Sequence, residues 1–106
     1  MNEKTRAGYE ARASVIKAMA HPTRLYLVDV LSRGAKCVRE LTEMVEADMS
    51  TVSKHLTILK NVGIVSDEKI GQQVYYKLKM PCVLGFFQCV ESVLKSTATE
   101  QLKLVK

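Results

Sequence analysis

The sequence has 106 residues, enough for one domain with a modest core, and its apolar content is typical of a globular chain rather than a disordered one. Sixteen lysine and arginine residues against eleven acidic ones give a net charge of +5, which is compatible with a polyanionic partner without requiring one. The N-terminus is polar and no stretch approaches the roughly 20 apolar residues of a membrane span, so we expect a cytoplasmic protein without a membrane partner.

Two helices are predicted in the first third of the chain. Residues 1–8 are polar and expected to be frayed, whereas apolar residues recur at helical spacing over residues 9–20. Pro22 separates this helix from a second one over about 22–33, because the residue before a proline is pushed out of the helical region and a proline suits a first helical turn. The inward residues of the second helix are predicted to be Leu25, Val28 and Leu31.

A helix-turn-helix is predicted next. A short helix over about 38–46 is followed, after a tight connection, by a helix over about 49–62. Asp48 is a good N-cap for the second of these, and Gly63 stands where a helix C-terminus favours glycine. The inward residues are predicted to be Leu41, Met44 and Val45 on the first helix and Val52, Leu56, Leu59 and Val62 on the second.

The opposite face of this second helix carries hydrogen-bond donors and cations, with no carboxylate after the cap. Such a face suits the phosphates and base edges of DNA, although an ordinary solvated helix face is also consistent with it. In a helix-turn-helix the second helix is the one expected in the major groove. Its polar residues are Ser50, Ser53, Lys54, Thr57, Lys60 and Asn61.

After Gly63 the pattern changes to that of a β-hairpin. Residues 64–65 and 74–78 are rich in β-branched and aromatic residues, and residues 66–73, with Gly71 at the tip, turn the chain back. Directly behind a helix-turn-helix, a two-stranded hairpin over about 64–79 is a wing. Its lysines are placed to reach phosphate or the minor groove.

A last helix is predicted from Pro81 to at least residue 94, about 81–95 in all. Its apolar surface is broader than the core of one small domain requires, and we interpret the excess as a dimer interface. The tail over 96–106 is more polar and either extends that interface or lies loose. The apolar residues of the helix are Val83, Phe86, Val90, Val93 and Leu94.

Three strings resemble the ArsR/SmtB family of winged-helix transcriptional repressors: H-P-T-R-L at 21–25, S-T-V-S-K-H-L-x-x-L-K-x-x-G at 50–63 and V-Y-Y-K-L at 74–78. They lie in register over about residues 12–95. The resemblance implies a mainly α fold with a small β-hairpin and a homodimer built on the first and last helices. It also implies binding to an imperfect inverted repeat in an operator, with release by a metal, metalloid or other thiol-reactive signal.

The sequence departs from the family pattern in the DNA-binding region and in the sensing region. Met49 stands where members often have Gln, and Gln72 follows Gly71 where wings often have Arg. Metalloid-sensing members carry Cys-Val-Cys before an acidic residue and Leu, and here Arg39 replaces the second cysteine. The zinc-sensing pattern of the last helix is mostly absent, since Met80 and Val93 occupy two of its places.

The predicted DNA-binding residues lie on the recognition helix and the wing, and we expect the dimer to bind its operator without a cofactor. His55, beside the apolar stripe, either reaches a phosphate or packs its helix against the wing, whereas His21 is interpreted as structural. The set is Ser50, Thr51, Ser53, Lys54, His55, Thr57, Lys60, Lys69, Gln72 and Gln73.

The predicted sensing residues are Cys37, Cys82 and Cys89, which we expect to be free thiols because their number is odd. Thiolates are soft ligands that favour As(III) and other soft ions. Cys82 and Cys89 are seven residues apart, about 10.5 Å along a helix, which is too far for a disulfide between them. A shared site must therefore recruit Cys37 or a thiol of the partner subunit. The alternative is that both last-helix cysteines are packing residues.

Other functions remain open at this point. The same repressor could sense oxidants or reactive sulfur through its cysteines. A winged helix used only for protein contacts is a more remote alternative. The sequence contains neither a glycine-rich phosphate loop nor a Ser-His-Asp set at suggestive spacing, so we do not expect an enzyme, although a thiol enzyme pairing Cys37 with a histidine is conceivable.

Overall fold

The computed structural model describes the backbone of residues 1–105 and the side chains of residues 1–103. Five helices surround a small antiparallel sheet, which confirms the predicted mainly α winged helix. In the described part of the chain, none of the helices is both long enough and apolar enough to cross a membrane. The elements are α1 Glu3–Met19, α2 Pro22–Leu31, β1 Lys36–Cys37, α3 Val38–Val45, α4 Met49–Asn61, β2 Val65–Ile70, β3 Gln73–Leu78 and α5 Val83–Val105.

The first and last helices are longer than predicted. The prediction that residues 1–8 are frayed is wrong, because the Asn2 side chain accepts a hydrogen bond of 2.8 Å from the Thr5 amide and so caps α1. At the other end, α5 begins at Val83, after a turn that contains Pro81, and it continues through the segment expected to be a polar tail. Lys106, the last residue of that segment, lies outside the described residues.

The sheet contains a strand that the sequence did not reveal. Strand β1 pairs with β3, with Lys36 opposite Tyr76 and Cys37 opposite Tyr75, and the strand order is β1-β3-β2. A strand of two residues is too short to produce the alternating pattern by which strands are recognised. The predicted hairpin is confirmed as β2 and β3, and β1 extends it to a three-stranded sheet.

The hairpin turn is also much tighter than predicted. Residues 66–70 and Gln73 are paired in the ladder, from Val65 opposite Leu78 to Ile70 opposite Gln73, so a two-residue turn replaces the predicted turn over 66–73. Gly71 has a positive φ of 64°, the conformation that tight hairpin turns require. The charged residues of β2 concealed the strand from the sequence, because a strand at the sheet edge tolerates charges that face solvent.

The hydrophobic core lies between the helix-turn-helix and the sheet. Leu27 of α2, Leu41 of α3 and Ile64 before β2 are fully buried. Of the predicted stripe, Val52, Leu56 and Leu59 are fully buried, whereas Val62 lies just beyond α4 and is half-buried. Two residues predicted to face inward do not: Leu25 is 40% exposed and Met44 is 39% exposed. The helical period correctly predicts which residues share a face, but it does not fix how far the neighbouring elements cover that face.

Helices α1 and α5 bury few of their own side chains and leave an apolar surface uncovered. Helix α1 buries Ala18 and Met19, and α5 buries Val83. Between α1, α2 and α5 lies an open groove of about 480 Å³. Its apolar lining residues include Ile16, Leu25, Phe86, Phe87, Val90 and Leu94.

The backbone conformation just after the recognition helix requires a glycine, and Gly63 supplies it. Its φ is +84°, in a region where a β-carbon is strained. We expect Gly63→Ala to lower the free energy of unfolding by about 1 kcal/mol, measured by urea denaturation followed by circular dichroism. Gly8→Ala is the matched control, because Gly8 lies inside α1 and alanine there should stabilise the helix by about 0.5 kcal/mol. Equal effects at both positions would contradict this assignment.

Candidate nucleic-acid interface

The recognition helix α4 is fixed in rotation by its buried stripe. Val52, Leu56 and Leu59 each have no exposed surface, so the helix cannot turn about its axis without exposing them. The opposite face projects away from the core. There Ser50, Thr51, Lys54, Thr57 and Lys60 are exposed and Ser53 is half-buried.

Two hydroxyl groups of α4, one in its first turn and one in its second half, are already held by local hydrogen bonds. The Ser50 hydroxyl donates to the Asp48 carboxylate at 2.8 Å, and the Thr57 hydroxyl donates to the Ser53 carbonyl at 2.9 Å. Hydrogen bonds from the hydroxyls of Thr51 and Ser50 lower the pKa of the Asp48 carboxyl. Asp48 occupies the predicted N-cap position of α4, but its side chain accepts no capping hydrogen bond from a backbone amide and is bonded to the Ser50 hydroxyl instead.

The wing is joined to the recognition helix by an ion pair. The Lys60 ammonium nitrogen lies 3.0 Å from a carboxylate oxygen of Asp67 on β2. The sequence predicts that Lys60 contacts the DNA backbone, but it does not indicate that Lys60 pairs with Asp67. Both side chains are partly exposed, so the pair contributes less than about 1 kcal/mol to stability. The main effect of this ion pair is to hold the end of α4 beside the hairpin.

The wing itself presents polar residues to solvent. Lys69 is exposed on β2, Gln72 is exposed in the turn, and Gln73 is half-buried at the start of β3. Lys77, on the same strand, is also exposed. The structure thus leaves the predicted wing residues accessible, while their contact with DNA remains a prediction.

His55 faces α2 rather than the wing. Its Nδ1 accepts a hydrogen bond of 3.1 Å from the Arg24 guanidinium, and its ring centroid lies 4.6 Å from that of His21. The interpretation that it packs α4 against the wing is therefore corrected. Burial, followed by the charges of His21 and Arg24, lowers the pKa of His55. The sequence offered no signal for this contact, because Arg24 and His55 are 31 residues apart.

His21 is the N-cap of α2, in line with its structural interpretation. Its Nδ1 accepts a hydrogen bond of 3.1 Å from the Thr23 amide, while Pro22 occupies the first helical turn. The ring of His21 thus satisfies one of the free amides at the start of the helix.

The three thiols lie in two different surroundings. Cys37 is buried, 3% exposed, at the junction of β1 and α3, where its amide donates a hydrogen bond of 3.0 Å to the Glu40 carboxylate. This bond is the first cause of a lowered pKa at Glu40. Cys82, in the turn before α5, and Cys89, on α5, are exposed. Among the described residues, no three His, Cys, Asp or Glu side chains are grouped so that they could hold a metal ion.

The comparisons with known proteins agree with this geometry. The family model described as "Bacterial regulatory protein, arsR family" matches residues 21–67, which contain α2, the helix-turn-helix and the start of the wing. The transcriptional repressor SdpR of Bacillus subtilis is 35% identical over 65 residues, covering 61% of this chain and 72% of that protein. The cadmium resistance transcriptional regulatory protein CadC homolog of Staphylococcus aureus is 42% identical over 67 residues, covering 62% of this chain and 55% of that protein.

The fold is shared over a larger part of the chain. The solution structure of a homodimeric winged helix-turn-helix DNA-binding domain from Mycobacterium bovis is 26% identical, with a TM-score of 0.79 over 94% of this chain and 93% of that one. The chain spans about half the length of several curated relatives, between 51% and 55%. From the motifs, the family model and the shared fold we conclude that the chain belongs to the ArsR/SmtB family of winged-helix transcriptional regulators.

Proposed function

We propose that this protein is a homodimeric repressor that binds double-stranded operator DNA with an inverted repeat and leaves it when a thiol-reactive signal arrives. The observation that carries the proposal is the exposed polar face of α4, which we call the donor face and which consists of Ser50, Thr51, Lys54, Thr57 and Lys60. Five of its polar residues are exposed while the apolar stripe behind them is fully buried. Ammonium groups on a rigid helix can donate to base edges and phosphates in the major groove. The hydroxyl oxygens of Ser50 and Thr57, whose protons are donated within the chain, can accept hydrogen bonds from base amino groups.

The apolar surface of α1 and α5 supports the dimer. Phe86 is 54% exposed, Val93 63% and Leu94 64%, and together with Ile16 of α1 they form an uncovered apolar area. Water-exposed apolar side chains in such number favour association. A twofold axis through this surface would present two copies of α4, as the homodimeric relative from Mycobacterium bovis would.

Selection of bound duplexes from a random double-stranded library tests the DNA-binding proposal. We expect an inverted repeat whose half-sites are about 10 base pairs apart, one turn of B-form DNA, because each α4 enters one major groove. Binding should weaken linearly with the logarithm of salt concentration. A role in protein contacts alone predicts no salt-sensitive affinity for any duplex, and that result would overturn the proposal.

The signal that we propose is a soft metal or metalloid, with arsenite, As(III), as the example. Cys82 and Cys89 are exposed, and soft ions favour thiolate ligands. Since one described protomer contains no group of three suitable ligands, we place the site where α5 of one protomer meets its partner. The relationship to a cadmium resistance regulator supports a metal signal for this chain.

A second candidate signal is an oxidant or reactive sulfur species, and the exposure of the same two thiols favours it. We expect the double variant Cys82→Ser with Cys89→Ser to bind DNA but to lose its response, whereas Cys37→Ser should respond because that thiol is buried. Titration of the DNA complex with arsenite or Cd(II), and separately with peroxide or persulfide, distinguishes the two signals. Native mass spectrometry with arsenite then counts the thiols that hold it. If the double variant still responds to every reagent, both candidates fail.

A further inference from the structure

We propose that His55, Arg24 and His21 form a proton-sensitive clamp, which we call the histidine clamp, and that its protonation weakens DNA binding. The inference rests on the proposed function, because its effect is on the affinity of α4 for DNA. It is carried by the geometry of three half-buried side chains that join three helices behind the donor face.

Arg24 is the centre of the histidine clamp. From α2, one guanidinium nitrogen donates to the Ala18 carbonyl near the end of α1 at 3.1 Å. The Nε of the same side chain donates to Nδ1 of His55 on α4, also at 3.1 Å. The side chain therefore links a helix that carries part of the uncovered apolar surface to the helix that carries the donor face.

Both histidines accept hydrogen bonds through Nδ1, and the bond to Arg24 requires the His55 ring to be unprotonated at that atom. Nδ1 of His55 faces the Arg24 donor, and Nδ1 of His21 faces the Thr23 amide. A proton taken from solvent onto Nδ1 turns an acceptor into a donor that faces another donor. At His55 it also adds a positive charge beside the Arg24 guanidinium. Protonation therefore breaks the bond between α2 and α4 and replaces it with repulsion.

The surroundings of His55 strengthen this effect. His55 packs against α2 and the cap residue before it, and the titratable and charged groups facing it from these elements are Arg24 and His21. Burial and these two groups lower the pKa of His55 below its ordinary value of about 6.5. The pKa of His55 is lower in the folded protein than in the unfolded chain. The stability that the neutral His55 ring contributes to the fold is therefore fully present above about pH 6.5 and is lost as the pH falls through the folded-state pKa.

The sequence makes the clamp unusually easy to test, because His21 and His55 are the two histidines of the 106 residues. Histidine is the side chain whose ordinary pKa lies in the range from about pH 5 to about pH 8. Lysine, arginine and DNA phosphates keep their charge over that range. A change in DNA affinity between about pH 7.5 and about pH 5.5 therefore reports mainly on the clamp.

The test measures affinity for the selected duplex by fluorescence anisotropy at constant salt over this pH range. We expect the affinity of the wild type to fall by a factor between about three and about ten on acidification. A difference of one pKa unit at His55 between free and DNA-bound protein limits the loss to about tenfold for each protomer, and this limit is reached only when the pH lies below both pKa values. His55→Gln keeps an acceptor for Arg24 but cannot titrate, so its affinity should vary less than about twofold. His21→Asn, which keeps an N-cap acceptor, should show an intermediate dependence.

An NMR titration of the His55 ring protons gives a second readout. If an intact clamp accompanies DNA binding, the pKa of His55 is lower in the complex than in the free protein. A direct contact of the ring with a phosphate would raise that pKa instead, because the anion favours imidazolium. A raised pKa, or an equal pH dependence in wild type and His55→Gln, would overturn the clamp. Absence of DNA binding at every pH would instead overturn the proposed function.

Discussion

Replacement of Leu56 by alanine is expected to lower the free energy of unfolding by about 3 kcal/mol. Leu56 lies in the middle of α4 and has no exposed surface. Alanine would leave a cavity among neighbours that belong to the helix-turn-helix and the sheet, because close-packed cores relax only partly around a deletion. In a domain of this size, a loss of about 3 kcal/mol lowers the melting temperature by about 15 °C.

Ile58→Ala is the matched control for this measurement. Ile58 is on the same helix and is 37% exposed, so its truncation should cost clearly less, about 1 kcal/mol or below. Both variants are to be compared at one protein concentration, since dimerisation makes the melting temperature depend on concentration. Equal losses for Leu56→Ala and Ile58→Ala would show that the rotation of α4 described above is wrong.

Replacement of Lys54 by alanine is expected to reduce affinity for the selected duplex about tenfold and to flatten its salt dependence. Lys54 is exposed on the donor face of α4. If its ammonium group contacts a phosphate, each protomer releases about one counterion fewer after the substitution. A dimer should thus lose roughly two units from the slope of log K against log salt.

Three related variants test whether the lost affinity and salt dependence come from the charge of Lys54 at this position. Lys54→Arg keeps the charge and should keep the slope, whereas Lys95→Ala removes the same charge from exposed α5 and should leave the slope nearly unchanged. Lys60→Ala should have a smaller effect than Lys54→Ala, because the Lys60 ammonium group is already paired with Asp67. An unchanged slope in Lys54→Ala would contradict the placement of α4 in the major groove.

Much of the candidate interface could be predicted because its signals are local. Helical spacing identified the stripe of Val52, Leu56 and Leu59, and the polar residues assigned to the opposite face are exposed except for Ser53, which is half-buried. Pro22 begins α2, and Gly63 has a positive φ just beyond the end of α4. These features depend on residues within one or two turns of each other, so they can be read directly from the chain.

Most of the contacts that were missed depend on how separate elements pack, even where the partners are as close in sequence as Lys60 and Asp67. The pairing of Lys36 with Tyr76 makes a third strand, and the bond between Arg24 and His55 attaches α4 to α2 rather than to the wing. The ion pair of Lys60 with Asp67 likewise required the hairpin to be folded back onto α4. No periodic pattern records such contacts, because they depend on how whole elements are placed against one another.

By itself, the sequence determined the order of the helices, the position of the wing and the face of α4 that is free to meet a duplex, since hydrophobic period and turn residues act over short distances. Tertiary structure alone decided which thiols are accessible: Cys37 is buried in β1, next to β3, while Cys82 and Cys89 are exposed just before and within α5. It also decided that Arg24 joins α1, α2 and α4. Accessibility and long-range hydrogen bonds follow from the packing of separate elements, which the linear spacing of residues does not encode.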